Sequence, residues 1–190
     1  ITIHDTTRPV FAEVPNDISV QCIEDVPSPT SLVWTDNCDV GGLVLGVDGP
    51  LVGGECGGTI TRTWNIMDSC MNAAETRTQI ITVSDTVDPE IVDVADYQLA
   101  GCSVAWPEFL TTTWTDNCST GGSINSGAGV DKGSSADGSI EYREYTFTVK
   151  DACDNTATET TLVSKLVDST SPEIQCPQAV EVQCKEDVPQ

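Results

Sequence analysis

Arg62-Thr63-Trp64-Asn65-Ile66-Met67-Asp68-Ser69-Cys70 decides the fold class. Arg62, Trp64 and Ile66 share one parity, so their side chains fall on one face of an extended chain, the period-two pattern of a half-buried strand. The same register returns at Tyr145-Thr146-Phe147-Thr148-Val149-Lys150-Asp151-Ala152-Cys153, with Tyr145, Phe147 and Val149 on the matching face. A strand that recurs together with its own trailing Asp-x-Cys is part of a repeat, and repetition outranks local signals in setting the architecture.

The repeat extends in both directions from that strand. Upstream, Cys22, Pro27 and Trp34-Thr35-Asp36-Asn37-Cys38 align without a gap with Cys102, Pro107 and Trp114-Thr115-Asp116-Asn117-Cys118. The openings Asp5-Thr6-Thr7-Arg8-Pro9, Asp85-Thr86-Val87-Asp88-Pro89 and Asp168-Ser169-Thr170-Ser171-Pro172 recur at spacings of 80 and 83 residues. These anchors divide the chain into residues 1–4, the closing strand of a preceding module; 5–84, module one; 85–167, module two; and 168–190, the opening strands of a further module. Ala179 to Pro189 repeats the register of Asp17 to Pro27, and Ile1 to Asp5 that of Ile81 to Asp85, so the chain is expected to be a window on a longer array.

Within module one, β-rich runs fall at Asp17–Cys22, Ser31–Thr35, Leu43–Val47 and Thr76–Val83. They are separated by the turn-forming pairs Asn16-Asp17, Gly41-Gly42, Asp48-Gly49-Pro50 and Gly53-Gly54. Gly121-Gly122 and Asp137-Gly138 punctuate module two in the same way. About seven short strands per module, with no 3.6-residue stripe, predict an all-β fold of tandem, disulfide-stabilised immunoglobulin-like β-sandwiches. Aromatic residues are only 5% of the chain, so each core is expected to centre on one pair, Trp34 with Trp64 and Trp114 with Phe147, beside a disulfide. Trp106, at the position of Val26, is a candidate to cover a module junction.

Nine cysteines without zinc-site spacing indicate disulfides and an oxidising, extracellular compartment. Comparison of the copies predicts Cys38–Cys70 and Cys118–Cys153 as equivalent intramodule bridges, with Cys22–Cys56 as a second bridge of module one. Ala136-Asp137-Gly138 stands where a partner for Cys102 would be, leaving Cys102 as a free thiol or an intermodule partner. The partner of Cys176 is expected beyond Gln190. A competing scheme, Cys22–Cys38 with Cys56–Cys70, strands Cys153 instead.

The Asp-Thr-x-x-Pro opening, Val-x-Cys before a Pro, Thr-Asp-Asn-Cys, and Asp-x-Cys-x-Asn after a long strand resemble the hyalin-repeat (HYR)-like immunoglobulin modules. The resemblance spans nearly the whole chain. It implies an extracellular array of the kind found on bacterial surface proteins and adhesins, with a structural or adhesive role as a rigid stalk or filament shaft. The alternatives are a subunit joined end to end by terminal strands into a pilus-like fibre, or a calcium- or carbohydrate-binding module. Met71 and Asp154 stand where the bacterial pattern commonly has Gly, which would tolerate a positive φ more readily.

Thirty acidic against eight basic side chains give a formal net charge of −22, which repels phosphate backbones and argues against nucleic acid as a partner. The chain contains no apolar stretch long enough for direct membrane insertion. The expected partners are neighbouring modules of the same long chain or identical subunits in a filament, with surface glycans as a further possibility. Clustered acidity also suits Ca2+, which takes six to eight oxygen ligands; the candidates are Asp5, Asp36, Asp68, Asp85, Asp116, Asp151 and Asp168. His4 is the only histidine and lies outside both full modules, so neither module assembles a Ser-His-Asp or Cys-His constellation, and no enzyme is expected. Asn117-Cys118-Ser119 is an N-x-S acceptor, and Thr111, Thr112 and Thr113 form a hydroxyl cluster open to glycosylation.

Overall fold

Residues 4–175 are described by the computed structural model. The expected elements Ile1–Ile3 and Ala179–Pro189, together with Cys176, lie outside these residues. Among the described residues, strands take 44% and helix 2%, an all-β fold.

The first seven strands are β1 (Val10–Phe11), β2 (Ile18–Val20), β3 (Ser31–Thr35), β4 (Gly42–Leu45), β5 (Val47–Asp48), β6 (Cys56–Trp64) and β7 (Arg77–Ser84). They form a three-stranded sheet, β1-β3-β4, and a four-stranded sheet, β2-β7-β6-β5. The next seven are β8 (Glu90–Ile91), β9 (Tyr97–Gln98), β10 (Thr111–Thr115), β11 (Gly122–Asn125), β12 (Val130–Ser134), β13 (Ile140–Lys150) and β14 (Thr156–Leu166). Their sheets, β8-β10-β11 and β9-β14-β13-β12, repeat the order strand for strand, including the parallel pairings β2 with β7 and β9 with β14. A one-turn 3-10 helix, Ile23–Asp25, follows β2; no periodic signal announced it.

The alternation along β6 shows why these residues make a sandwich. Arg62 and Trp64 turn inward at 2% and 0% exposure, and Ile66 packs against the same core. Trp64 meets Phe11 of β1 and Leu32 of β3 with half-buried Trp34 alongside, so one cluster joins both sheets. A second cluster, Ile60, Ile81 and Val83, is covered by Ile18, Val20, Ile23, Val26 and Leu51. Each side chain buried this way stabilises the fold by about 1.5–3 kcal/mol. The expected Trp34–Trp64 pairing is present, but Trp64 carries the core and no disulfide lies in that cluster.

Arg62 is a buried cation in a small core, and the two units handle that position differently. Its guanidinium engages Asp48 through Nε–Oδ1 at 2.5 Å and Nη2–Oδ2 at 2.9 Å, and donates to the Pro27 carbonyl. In the second unit the matching residue is Tyr145, fully buried, whose hydroxyl donates to the Pro107 carbonyl at 2.7 Å. Asp48 pairs across the ladder with Arg62. One step beyond the Val130↔Glu144 pair, Gly129 faces Tyr145, and a Cβ there would come within 2.5 Å of the tyrosine ring. An ion pair in one copy thus becomes an aromatic ring over a glycine in the other. Trp106 lies under Arg143 and Lys165, 4.9 and 4.7 Å from its ring centroid, so it packs on the second unit's own β13 and β14.

Candidate functional site

Chemistry-bearing residues gather where β7 of the first unit ends and the second unit begins. Ser84 pairs with Cys56 at the foot of β6, and Asp85 follows with its N–H donating to the Glu55 carbonyl at 3.4 Å. Cys22, at the end of the β2 segment, closes the same pole. Thr86 N–H donates to Gln21 Oε1 at 2.8 Å, tying the linker to that segment.

Two disulfides cross this junction. Cys22 bonds Cys118 and Cys56 bonds Cys153, over Cα separations of 5.2 and 5.1 Å. The expected Cys22–Cys56, Cys38–Cys70 and Cys118–Cys153 bridges are therefore corrected, as is the competing scheme. The repeat made Cys118 and Cys153 equivalent to Cys38 and Cys70, but the fold turns their loops toward the preceding unit, within the Cα spacing a disulfide requires. Among the described residues, Cys38, Cys70 and Cys102 are exposed free thiols.

Directly beside the bridges, Asp85, Asp116 and Asp151 bring carboxylate oxygens within 4.8 Å of one another, and Asp5, Asp36 and Asp68 do the same at the far pole of the first unit. The two clusters are built alike. Asp5 accepts from Thr7 N–H at 2.9 Å and Asn37 Nδ2 at 3.4 Å; Asp85 accepts from Val87 N–H at 3.2 Å and Asn117 Nδ2 at 3.3 Å. Asp36 caps the N–H groups of Cys38 and Asp39, and Asp116 those of Cys118 and Ser119. Asp68 receives Asn72, and Asp151 receives Asn155, through both backbone N–H and side-chain amide. Each third carboxylate keeps one buried oxygen without a donor, Asp36 Oδ2 and Asp116 Oδ1.

Asp5, Asp68, Asp85 and Asp151 are all buried. The Thr7 N–H holds Asp5 below its ordinary value against the opposing effect of burial. Burial pushes Asp151 up, but hydrogen bonds from Asn155 and the Cys153 backbone bring the net value below the ordinary one. Desolvation, then the Asp5 carboxylate, push the Cys38 thiol up.

Six of the seven expected carboxylates are thus brought together in two sets of three. Asp168 joins neither; it is exposed and caps Thr170 N–H at 2.9 Å. Asn117 Nδ2, the atom a glycan needs, is engaged by Asp85, Cys118 Sγ and Cys22 Sγ. The Thr111 and Thr112 hydroxyls bond Asn125 Oδ1 and the Val92 carbonyl, and Thr113 is exposed. Sequence reasoning missed Gln21, whose contact with Thr86 crosses the unit boundary. The loops Asp68–Asn72 and Asp151–Asn155 each turn through a positive φ, 70° at Met71 and 74° at Asp154, so the chain keeps a glycine-type turn without glycine.

A family model described as an HYR-like domain with 4 cysteines matches residues 10–83. No curated protein matches the chain. The matched segment holds four cysteines, Cys22, Cys38, Cys56 and Cys70, and it runs from β1 to within one residue of the end of β7. HYR-like character and disulfides are those of an extracellular, repeat-type module. Over residues 10–83, the stretch that forms the first two sheets, the chain is similar to HYR-like domains of the four-cysteine type.

Proposed function

We propose that this chain is a stiff, load-bearing segment of an extracellular repeat protein, a stalk or shaft that holds other surfaces away from the cell. The observation that carries the reading is the double disulfide between successive units. One bridge would leave a swivel, whereas two bridges anchored on β6 and the β2 segment remove rotation between the sandwiches. The net charge of −22 keeps so much exposed β-structure soluble and separated from its neighbours. Small-angle scattering in non-reducing buffer tests this. A single extended shape that becomes a flexible distribution after reduction supports the reading, and an unchanged profile refutes it.

A divalent cation at the Asp85–Asp116–Asp151 junction is favoured by the convergence of three carboxylates and the orphaned Asp116 oxygen. Calcium accepts such oxygen-only, irregular sites, with backbone carbonyls and water completing the shell. It would neutralise the charge concentrated at the junction and stiffen it further. The test is calorimetry in calcium and in excess chelator. Binding at 100 times Kd adds about 2.7 kcal/mol, and superimposable melts would exclude the site.

A further inference from the structure

The receiving side of the junction is present twice, but only one copy is engaged. In the second unit, Cys118 and Cys153 bond outward to the preceding unit rather than to each other. In the first unit, Cys38 and Cys70 occupy the matching loop positions and are exposed thiols. Their settings correspond. Asn37 Nδ2 lies 3.2 Å from Cys38 Sγ and Asn117 Nδ2 lies 3.0 Å from Cys118 Sγ. The Asx turn that presents Cys38 from Asp36 has its counterpart at Asp116, and the Asp68–Asn72 loop that carries Cys70 has its counterpart at Asp151–Asn155.

We propose that Cys38 and Cys70 are the receiving half of a second double-disulfide junction, and that its partner is another HYR-like unit presenting cysteines at the positions of Cys22 and Cys56. The inference rests on the stiff-array reading and deepens it by naming the docking face and its polarity. Each unit receives through the two cysteines beside its Asp cluster, and the first unit donates through the two at its opposite pole, Cys22 and Cys56. Among the described residues, the second unit's donating pole carries Cys102 and no second cysteine. Where the other donor would stand, Asp137 ties Ser135 and Ser139 into a hydrogen-bonded turn.

Each bridge joins two thiols with release of two protons and two electrons. The acceptor is a small-molecule or protein disulfide, itself reduced to two thiols by exchange.

The test places a second copy of residues 5–84 ahead of the full chain in place of residues 1–4, so that Ser84 of the added outer copy runs into Asp5 of the inner copy as Ser84 natively runs into Asp85. After refolding with a glutathione redox couple, non-reducing peptide mapping should find the outer Cys22 on the inner Cys38 and the outer Cys56 on the inner Cys70. A Cys38–Cys70 bond, free thiols at both positions, or only one of the two cross-links overturns the proposal. The unextended chain gives an independent measurement. After oxidation with glutathione disulfide, a monomer with Cys38 bonded to Cys70 overturns the proposal, and two thiols or two glutathione caps support it. Scattering from the duplicated chain separates the two readings, because an extended stack with unbonded inner cysteines refutes this junction and leaves the stalk standing.

Discussion

Replacing Cys56 with Ser breaks one crossing bridge and exposes the pairing to direct measurement. By itself the Cys56–Cys153 bond spans 97 residues. With Cys22–Cys118 still in place, the path through that bridge shortens the loop closed in the unfolded chain to about 70 residues, and chain-entropy arithmetic then gives about 4 kcal/mol for the bond. The double variant Cys56→Ser/Cys153→Ser avoids a stray thiol and should lose about that much by urea unfolding followed through tryptophan fluorescence. For a chain of this size the corresponding fall in Tm is roughly 8–16 °C. The single variant carries the sharper readout. Alkylation of native Cys56→Ser without reductant should label one new cysteine, Cys153. Labelling of Cys22 instead would restore the intramodule scheme, and a stability loss under about 1 kcal/mol would refute the entropic argument.

Three further outcomes follow from the units themselves. Arg62→Ala leaves Asp48, whose side chain is 28% exposed, facing an empty site, and should cost about 3 kcal/mol in chemical denaturation, the low end for a broken buried pair. Asp48→Gly/Arg62→Tyr, which copies the Gly129/Tyr145 solution, should recover most of that loss; a double variant no better than Arg62→Ala would show that the two solutions are not interchangeable. Met71→Gly removes a side chain that is 80% exposed from a backbone at φ 70°. It should raise stability by about 1 kcal/mol, the scale of the left-handed penalty, whereas an unchanged midpoint would mean that the turn carries no strain. Asp137 has its carboxyl held at about 2 by hydrogen bonds from the Ser135 and Ser139 hydroxyls and the Ser139 N–H. A depressed folded-state value stabilises above the unfolded pKa and loses that contribution as pH falls through the folded value. NMR titration should therefore place the Asp137 midpoint near 2 in the wild type, and an ordinary carboxylate midpoint would break the turn assignment.

The all-β class, the strand parity of β6 and β13 and the grouping of aspartates in loops were legible in the sequence because each depends on local pattern or on superposition of copies. Arg62, Trp64 and Ile66 revealed their inward face by alternation alone, and Asp36/Asp116 and Asp68/Asp151 were marked as a set by recurring at matched positions. The partnering of Arg62 was not legible. Its charge is satisfied by Asp48 across a ladder and by a carbonyl 35 positions away, and nothing in a linear pattern ties those three together.

The cysteine pairing shows the limit most plainly. A tandem repeat looks the same when shifted by one whole period, so the sequence identifies Cys118 with Cys38 without saying whether a bond joins two positions of one repeat or of successive repeats. Only the tertiary structure breaks that symmetry. It seats the loops of Cys118 and Cys153 against the end of the preceding sandwich, with Cα separations of 5.2 and 5.1 Å to Cys22 and Cys56. Disulfide geometry is decided by distance in space and is indifferent to separation along the chain.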